Sequence, residues 1–214
     1  MEDRQTPRLY LEMTDMPHDV YASTRVTEVL HEPGVTRATW WENACPGRTD
    51  VPRTVPEFGL LGVYEVADGF RPPPVPDGIA GHGFRRTPRP GQGRLTGAPT
   101  LGLLLVLISP REPSQAQALR DWADFVHIRH IAEAGVPGYT MITPYENITG
   151  GDPRFLHFYE MDTDDPEAAF RAMTPLVADR IGKPGTPAWD HWASTPELRI
   201  VYVNTFCRRG MRAP

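Results

Sequence analysis

The sequence predicts an α+β fold made of two related halves, and three observations carry that prediction. Pro33-Gly34-Val35-Thr36, leading to Trp40-Trp41-Glu42-Asn43, returns as Pro137-Gly138-Tyr139-Thr140, leading to Pro144-Tyr145-Glu146-Asn147, in register and 104 positions further on. Each copy is followed by an apolar run that ends alike: Leu60-Leu61-Gly62-Val63-Tyr64-Glu65 in the first, Phe155-Leu156-His157-Phe158-Tyr159-Glu160 in the second. Between the halves, residues 71–99 hold seven prolines, six glycines, five arginines and one aspartate. A fixed period in a chain of 214 residues points to one supersecondary unit used twice. The proline- and glycine-rich stretch punctuates it. The expected organisation is therefore a first unit over 1–70, a connector over 71–99, and a second unit over 100–214 that includes a C-terminal tail.

In chain order, residues 8–14 read as a strand and 19–31 as a helix stopped by Pro33-Gly34. Residues 36–42 form an aromatic-rich strand with 58–66 as its partner, across a long polar loop. The connector lacks the pattern of a core element, since proline and glycine deplete helices and central strands alike. It is expected to run over the surface or reach a partner subunit. Residues 101–108 are a buried strand. Ser114 suits the N-cap of a single helix over 115–134, with Pro137-Gly138 beyond its end. Strands over 139–145 and 154–161 follow. Asp164-Asp165-Pro166-Glu167 then opens a helix running to about Ile181, because a cap, a proline and an acid suit a helix start. A loop carries Trp189, His191 and Trp192, and 198–206 is the last strand. The second half is thus β-α-β-β-α-β, the ferredoxin-like order. The first half is β-α-β-β, with the connector where its second helix would stand.

Composition narrows the function classes. A net charge of -5 argues against nucleic acid as a partner. Two cysteines, Cys45 and Cys207, are too few for a disulfide framework. The N-terminus, Met1-Glu2-Asp3-Arg4, has no apolar core of a signal peptide, and no apolar run is long enough to span a bilayer. A cytoplasmic protein with no membrane partner is expected. Glycine-rich phosphate loops, a G-x-S-x-G elbow and C-x-x-C pairs are all missing, so nicotinamide, flavin and ATP chemistry lack support.

The stretch Asp121-Trp122-Ala123-Asp124-Phe125-Val126-His127-Ile128-Arg129-His130, then Pro137-Gly138-Tyr139 and Tyr145-Glu146-Asn147, resembles the EthD-like branch of the dimeric α+β barrel superfamily. The resemblance covers residues 100–206 and, more weakly, 8–66. It implies two ferredoxin-like repeats packed sheet to sheet, closing one pseudo-dimeric barrel within a single chain. A homodimer is possible on top of this. The space between the sheets is the expected ligand pocket. Some relatives use haem, with His130 or His157 as conceivable axial ligands here, yet no cofactor is expected.

The chemistry-bearing candidates are histidines and aromatics. Asp124, His127, His130 and Glu133 step by three along the helix. Successive three-residue steps drift around the axis, so all four cannot converge on one ion, and no metal is expected. The series equally reads as a polar helix face with local ion pairing. The apolar stripe is Leu119, Trp122, Phe125 and Val126, with His130 nearer the core than His127. His157 shares a strand face with Phe155, Tyr159 and Met161; either face could look into the barrel. Tyr139, Met141, Thr143 and Tyr145 share another face. Trp40 and Trp41 lie on opposite faces of their strand, and aromatics on facing sheets make a slot for a flat ligand. Trp189 and His191 could cover a pocket mouth. The resulting expectation is a cofactor-free lyase, isomerase or cyclase acting on a small hydrophobic or aromatic carbonyl compound. His130 or His157 serves as base, with His127 as a further candidate. Tyr139 or Tyr145 holds the oxyanion, and Trp40, Trp41, Met141, Tyr159, Trp189 and His191 line the site. A cofactor-free monooxygenase is the alternative enzyme, and a small-molecule-binding or stress-related protein the non-catalytic one.

Overall fold

A computed structural model describes residues 6–94 and 96–214. The N-terminal tetrapeptide discussed above and Leu95 of the connector lie outside the described residues. The described chain runs β1 (Arg8–Thr14), α1 (His18–Ser23), α2 (Arg25–Leu30), β2 (Val35–Asn43), β3 (Leu60–Val66), β4 (Ile79–Arg86) and the two-residue β5 (Gln92–Gly93). It continues with β6 (Gly102–Pro110), a 3-10 turn at Pro113–Gln115, α3 (Ala116–Trp122), a π-helical turn at Ala123–His127 and α4 (Ile128–Ala134). Last come β7 (Tyr139–Asn147), β8 (Phe155–Met161), α5 (Pro166–Ile181), α6 (Pro187–Ala193) and β9 (Leu198–Arg212).

Strand order is β4-β1-β3-β2-β9-β6-β8-β7, and β7 pairs back onto β4, closing an antiparallel barrel of eight strands among the described residues. β6, β7 and β8, which lie under helices, are buried on both sides. That is why Gly102–Pro110 is a continuous apolar run rather than an alternating one. Leu103, Leu105 and Leu107 face the barrel centre together with Leu9, Leu11, Leu61, Val63, Leu156 and Phe158. Leu104 and Ile108 face outward to the helices.

The connector is corrected by β4, a core element. β4 pairs with β1 along its whole length and with β7 at its end, and Phe84 is fully buried. Composition hid it because Gly81 is required for packing. A Cβ there would lie 2.4 Å from the Tyr10 hydroxyl. The rest of 71–99 has little regular structure. The loop expected after α5 contains α6, capped by Thr186, whose hydroxyl accepts from Trp189 N. β9 runs to Arg212 because its end pairs with β2.

The predicted single helix is also corrected. Glu112, not Ser114, caps its start in a reciprocal capping box with Gln115, and the π-helical turn breaks it in the middle. In that turn residues five apart share a face. The apolar stripe is therefore rotated: Trp122 and His127 point at the sheet while Phe125 is half exposed.

On the outer face of the first half, α1 and α2 cover a buried ionic cluster. Glu12 is fully buried and accepts from Arg25 Nε on both oxygens (2.9 and 3.2 Å) and from Arg25 Nη2 (2.6 Å). Tyr21 donates to Glu12 at 2.8 Å and lies 2.7 Å from the Tyr64 hydroxyl. Gly62 leaves room for that phenol. A Cβ on Gly62 would sit 1.9 Å from the Tyr21 oxygen. Because Tyr21 is held by two partners, Gly62→Ala is expected to destabilise by about 1–3 kcal/mol, the usual cost of overpacking. Urea unfolding measures it, and a midpoint equal to the parent's would contradict this packing.

Candidate active site

The barrel interior is largely filled by side chains, as eight strands allow. The expected pocket between the sheets survives as a cleft of about 260 Å³ at one mouth, which brings together Trp41, Met141 and Tyr145 with Arg37, Glu65 and Glu160. Arg37 is paired with Glu65, Thr100 donates to Glu160 at 3.0 Å, and the Tyr145 hydroxyl donates to Thr6 O at 3.1 Å. No histidine lines this cleft.

A second cavity, of about 140 Å³, lies outside the barrel, between the sheet and the helices of the second half. β6, β8 and β9 form its floor, α5 supplies Phe170 and Met173, and the π-helical turn supplies Ala123 and His127. Val51, from the β2–β3 loop, reaches across from the first half. That loop is fastened by Thr54 N donating to Val201 O at 2.9 Å and by buried Arg48, which pairs with Glu167 and lies over Phe170. The walls are apolar except for two imidazoles, His127 and His157, and the phenol of Tyr159.

His157 projects outward from β8 and is 3% exposed; its Nε2 lies 3.3 Å from Asp124 Oδ1. Asp124 is equally buried, in the π-helical turn, and its Oδ1 has no aligned hydrogen bond. Its Oδ2 accepts from Arg89 Nη1 at 3.1 Å; Arg89 also donates to Asp121 at 2.6 Å and covers the Phe125 ring. The connector thus supplies the cation that offsets a buried carboxylate beside an imidazole. Tyr159, two residues along the same strand face, is almost fully buried. Burial first and the Asp124 charge second raise its pKa well above the ordinary phenol range. It stays a protonated donor.

His127 stacks on Trp192 at 5.2 Å and meets Trp122 at 5.0 Å. Its Nδ1 lies 3.0 Å from Trp192 O, and a carbonyl can only accept, so Nδ1 carries the hydrogen and Nε2 the lone pair. In return Trp192 Nε1 donates to His127 O at 3.1 Å, which locks α6 onto the π-helical turn. Desolvation, helped by neighbouring His157 and His130, lowers the His127 pKa from 6.5 to about 4. Between these values the unfolded chain binds a proton that the folded chain refuses. The stability from a neutral His127 is fully present above pH 6.5 and is lost as pH falls toward 4. His127→Gln should flatten that part of the stability profile in urea titrations; an unchanged acid limb would show that the imidazole is not held neutral.

The other predicted residues are spread out. His130 lies half exposed on α4, with Nδ1 3.9 Å from Glu133 Oε2, and does not line the cavity; it is not nearer the core than His127. The face expected for Tyr139 is corrected by a bulge between Tyr139 and Met141, which turns Tyr139 outward against Tyr159 while Met141 points inward. Trp40 packs under α1 and α2, opposite to Trp41. Trp189 packs on Trp192 at 4.8 Å, and the exposed His191 contributes its carbonyl to Trp122. Among the described residues, no group of three or more His, Cys, Asp or Glu is placed to hold a metal ion. Nor does a 140 Å³ cavity fit a haem, since pockets for larger ligands run to about 300–1,000 Å³. The sequence does not reveal Asp124 as the partner of His157 or Arg89 as its anchor, because an α-helical count from Trp122 places Asp124 on the polar face of the helix.

No family model and no curated protein sequence matches the chain. Solved structures do. An anthrone oxidase-like protein superposes with a TM-score of 0.50 at 12% identity, covering 96% of this chain and 92% of its own. A proposed monooxygenase from Lactobacillus acidophilus NCFM gives 0.53 at 9%, covering 98% and 97%. The chain has the dimeric α+β barrel fold. Among the described residues of this α+β barrel protein, no helix is long and apolar enough to cross a membrane.

Proposed function

We propose that this α+β barrel protein is a cofactor-free enzyme that moves a proton on a small aromatic carbonyl compound bound in the 140 Å³ cavity. One observation carries the reading: a buried His157 next to a buried Asp124, in the wall of an otherwise apolar cavity. A cavity of this size matches one that holds a single benzene ring. With Nε2 turned to Asp124, the other ring nitrogen of His157 takes a proton from the carbon next to the carbonyl. Asp124 orients the ring and stabilises the imidazolium, as the acid of a catalytic triad does. Tyr159 donates to the oxygen on which charge builds. Return of the proton elsewhere gives an isomerase, and loss of a leaving group gives a lyase.

The same reading takes the barrel as two ferredoxin-like repeats. Each half lays its strands out in one order, β4-β1-β3-β2 and β9-β6-β8-β7, and β2 and β7 hold equivalent places. In this alignment Gly62 matches His157 and Tyr64 matches Tyr159, so the first half fills with Tyr21 the space that is open in the second.

A second reading is favoured by the two fold neighbours, one described as anthrone oxidase-like and the other as a proposed monooxygenase. The carbanion made by His157 would pass its electrons to dioxygen, so that a ring CH2 becomes C=O with one oxygen atom of dioxygen, while the other takes the two hydrogens and leaves as water. The test is a thermal-shift screen of one-ring and fused-ring aromatic ketones and phenols, then NMR of any binder in D2O with and without air. Exchange of the activated hydrogen without air supports proton transfer, and turnover only with air supports the oxygenase. Ligands that bind but neither exchange nor react would leave a binding protein instead.

A further inference from the structure

Three of the five arginines of the 71–99 segment gather at a cleft that lies apart from the 140 Å³ cavity. It has a volume of about 540 Å³ and lies where β1 and the end of β4 meet the Thr87–Pro90 turn. Arg8, Arg85, Arg86 and Arg89 line it, with Asp68 as the one acid, on a chain whose net charge is -5. Two of the four are engaged. Arg8 pairs with Asp68 at 2.5 Å, and Arg89 is turned to Asp121 and Asp124. Among the described residues neither Arg85 nor Arg86 has an acidic partner, and Arg86 Nε is buried without any hydrogen-bond partner.

Much of the backbone around the cleft is already engaged or has no N–H. Arg86 N donates to Pro7 O at 2.8 Å and Thr87 N to Pro144 O at 3.2 Å, while Pro7, Pro88 and Pro90 have no N–H to offer. The charged donors of the cleft are guanidinium groups, mounted on paired strands and a proline-stiffened turn. Guanidinium forks recognise planar or tetrahedral oxyanions through two parallel bonds. We propose that this cleft is a binding site for a phosphate group, held by Arg85 and Arg86 with the other arginines completing the positive field.

Isothermal titration of the full chain with inorganic phosphate and with pyrophosphate, at ionic strength fixed with sodium chloride, tests this. Saturable binding is expected, tighter for pyrophosphate. Arg85→Gln/Arg86→Gln should weaken it at least roughly tenfold per guanidinium lost. Arg85→Lys/Arg86→Lys should fall between the two, because charge remains without the fork. If the double glutamine variant does not fold, Arg85→Gln alone serves, since Arg85 is exposed. No saturable heat, a response matched by chloride, or a folded glutamine variant that binds like the parent would each overturn the site.

Discussion

Replacing His157 with alanine is expected to lower turnover by about 10²–10⁴-fold, the usual worth of a positioned base. The expectation follows from the pairing of buried His157 with buried Asp124 in the cavity wall. Asp124→Asn keeps the shape but carries no charge to stabilise an imidazolium, so it should lose kcat more than KM. His127 carries its hydrogen on the nitrogen bound to Trp192 and is held neutral, so its removal should matter less for the proton-transfer step than for packing. Near-ultraviolet circular dichroism checks that each variant is folded. A folded His157→Ala protein that turns over an identified substrate at the parent rate would remove His157 from the mechanism.

The largest expected stability effect lies in the other half. Arg25→Met leaves Glu12 buried without its cation, and breaking a buried pair by removing one partner costs about 3–5 kcal/mol. Glu12 is fully buried and Arg25 is 2% exposed, so solvent cannot step in. Tyr21 and Tyr64 would still donate to the carboxylate but carry no charge. Replacing both partners, as Glu12→Leu/Arg25→Met, should recover most of the loss, because the desolvation penalty disappears with the charges. Chemical denaturation of the two variants decides the matter. A loss below about 1 kcal/mol for Arg25→Met would mean that the pair does not behave as a buried ion pair.

The strands were legible because burial wrote them into the chain. Residues 102–110 and 155–161 are apolar on both faces, and 8–14 nearly so, so few other structures could hide them. β4 was not legible, because Gly81 must be small under Tyr10 and because its charged end reads as a surface arm. The candidate site was half legible. His157 and Tyr159 stand out as polar groups in an apolar strand, but which face looked into the barrel depended on how the sheet closed. Asp124 was hidden by the π-helical turn, since an α-helical count sends it away from the sheet and leaves Phe125 in its place. That irregularity has no signature in residue type.

The way the barrel closes has a dynamic consequence. β2 meets β9 over six residue pairs, but β4 meets β7 over three, Phe84, Arg85 and Arg86, with one further backbone bond at each end, Ile148 N to Gly83 O and Thr87 N to Pro144 O. The joint between β4 and β7 is expected to open first, since local opening starts where the fewest backbone bonds must break together. Three residues beyond it the chain carries Arg89, whose guanidinium fixes Asp124. A fluctuation that parts β4 from β7 therefore loosens the grip on the carboxylate, although the cavity itself stays roofed. Catalytic alignment in the second half would then be timed by the weakest joint of the barrel, and mutations that lengthen the pairing of β4 with β7 would stiffen the site from a distance.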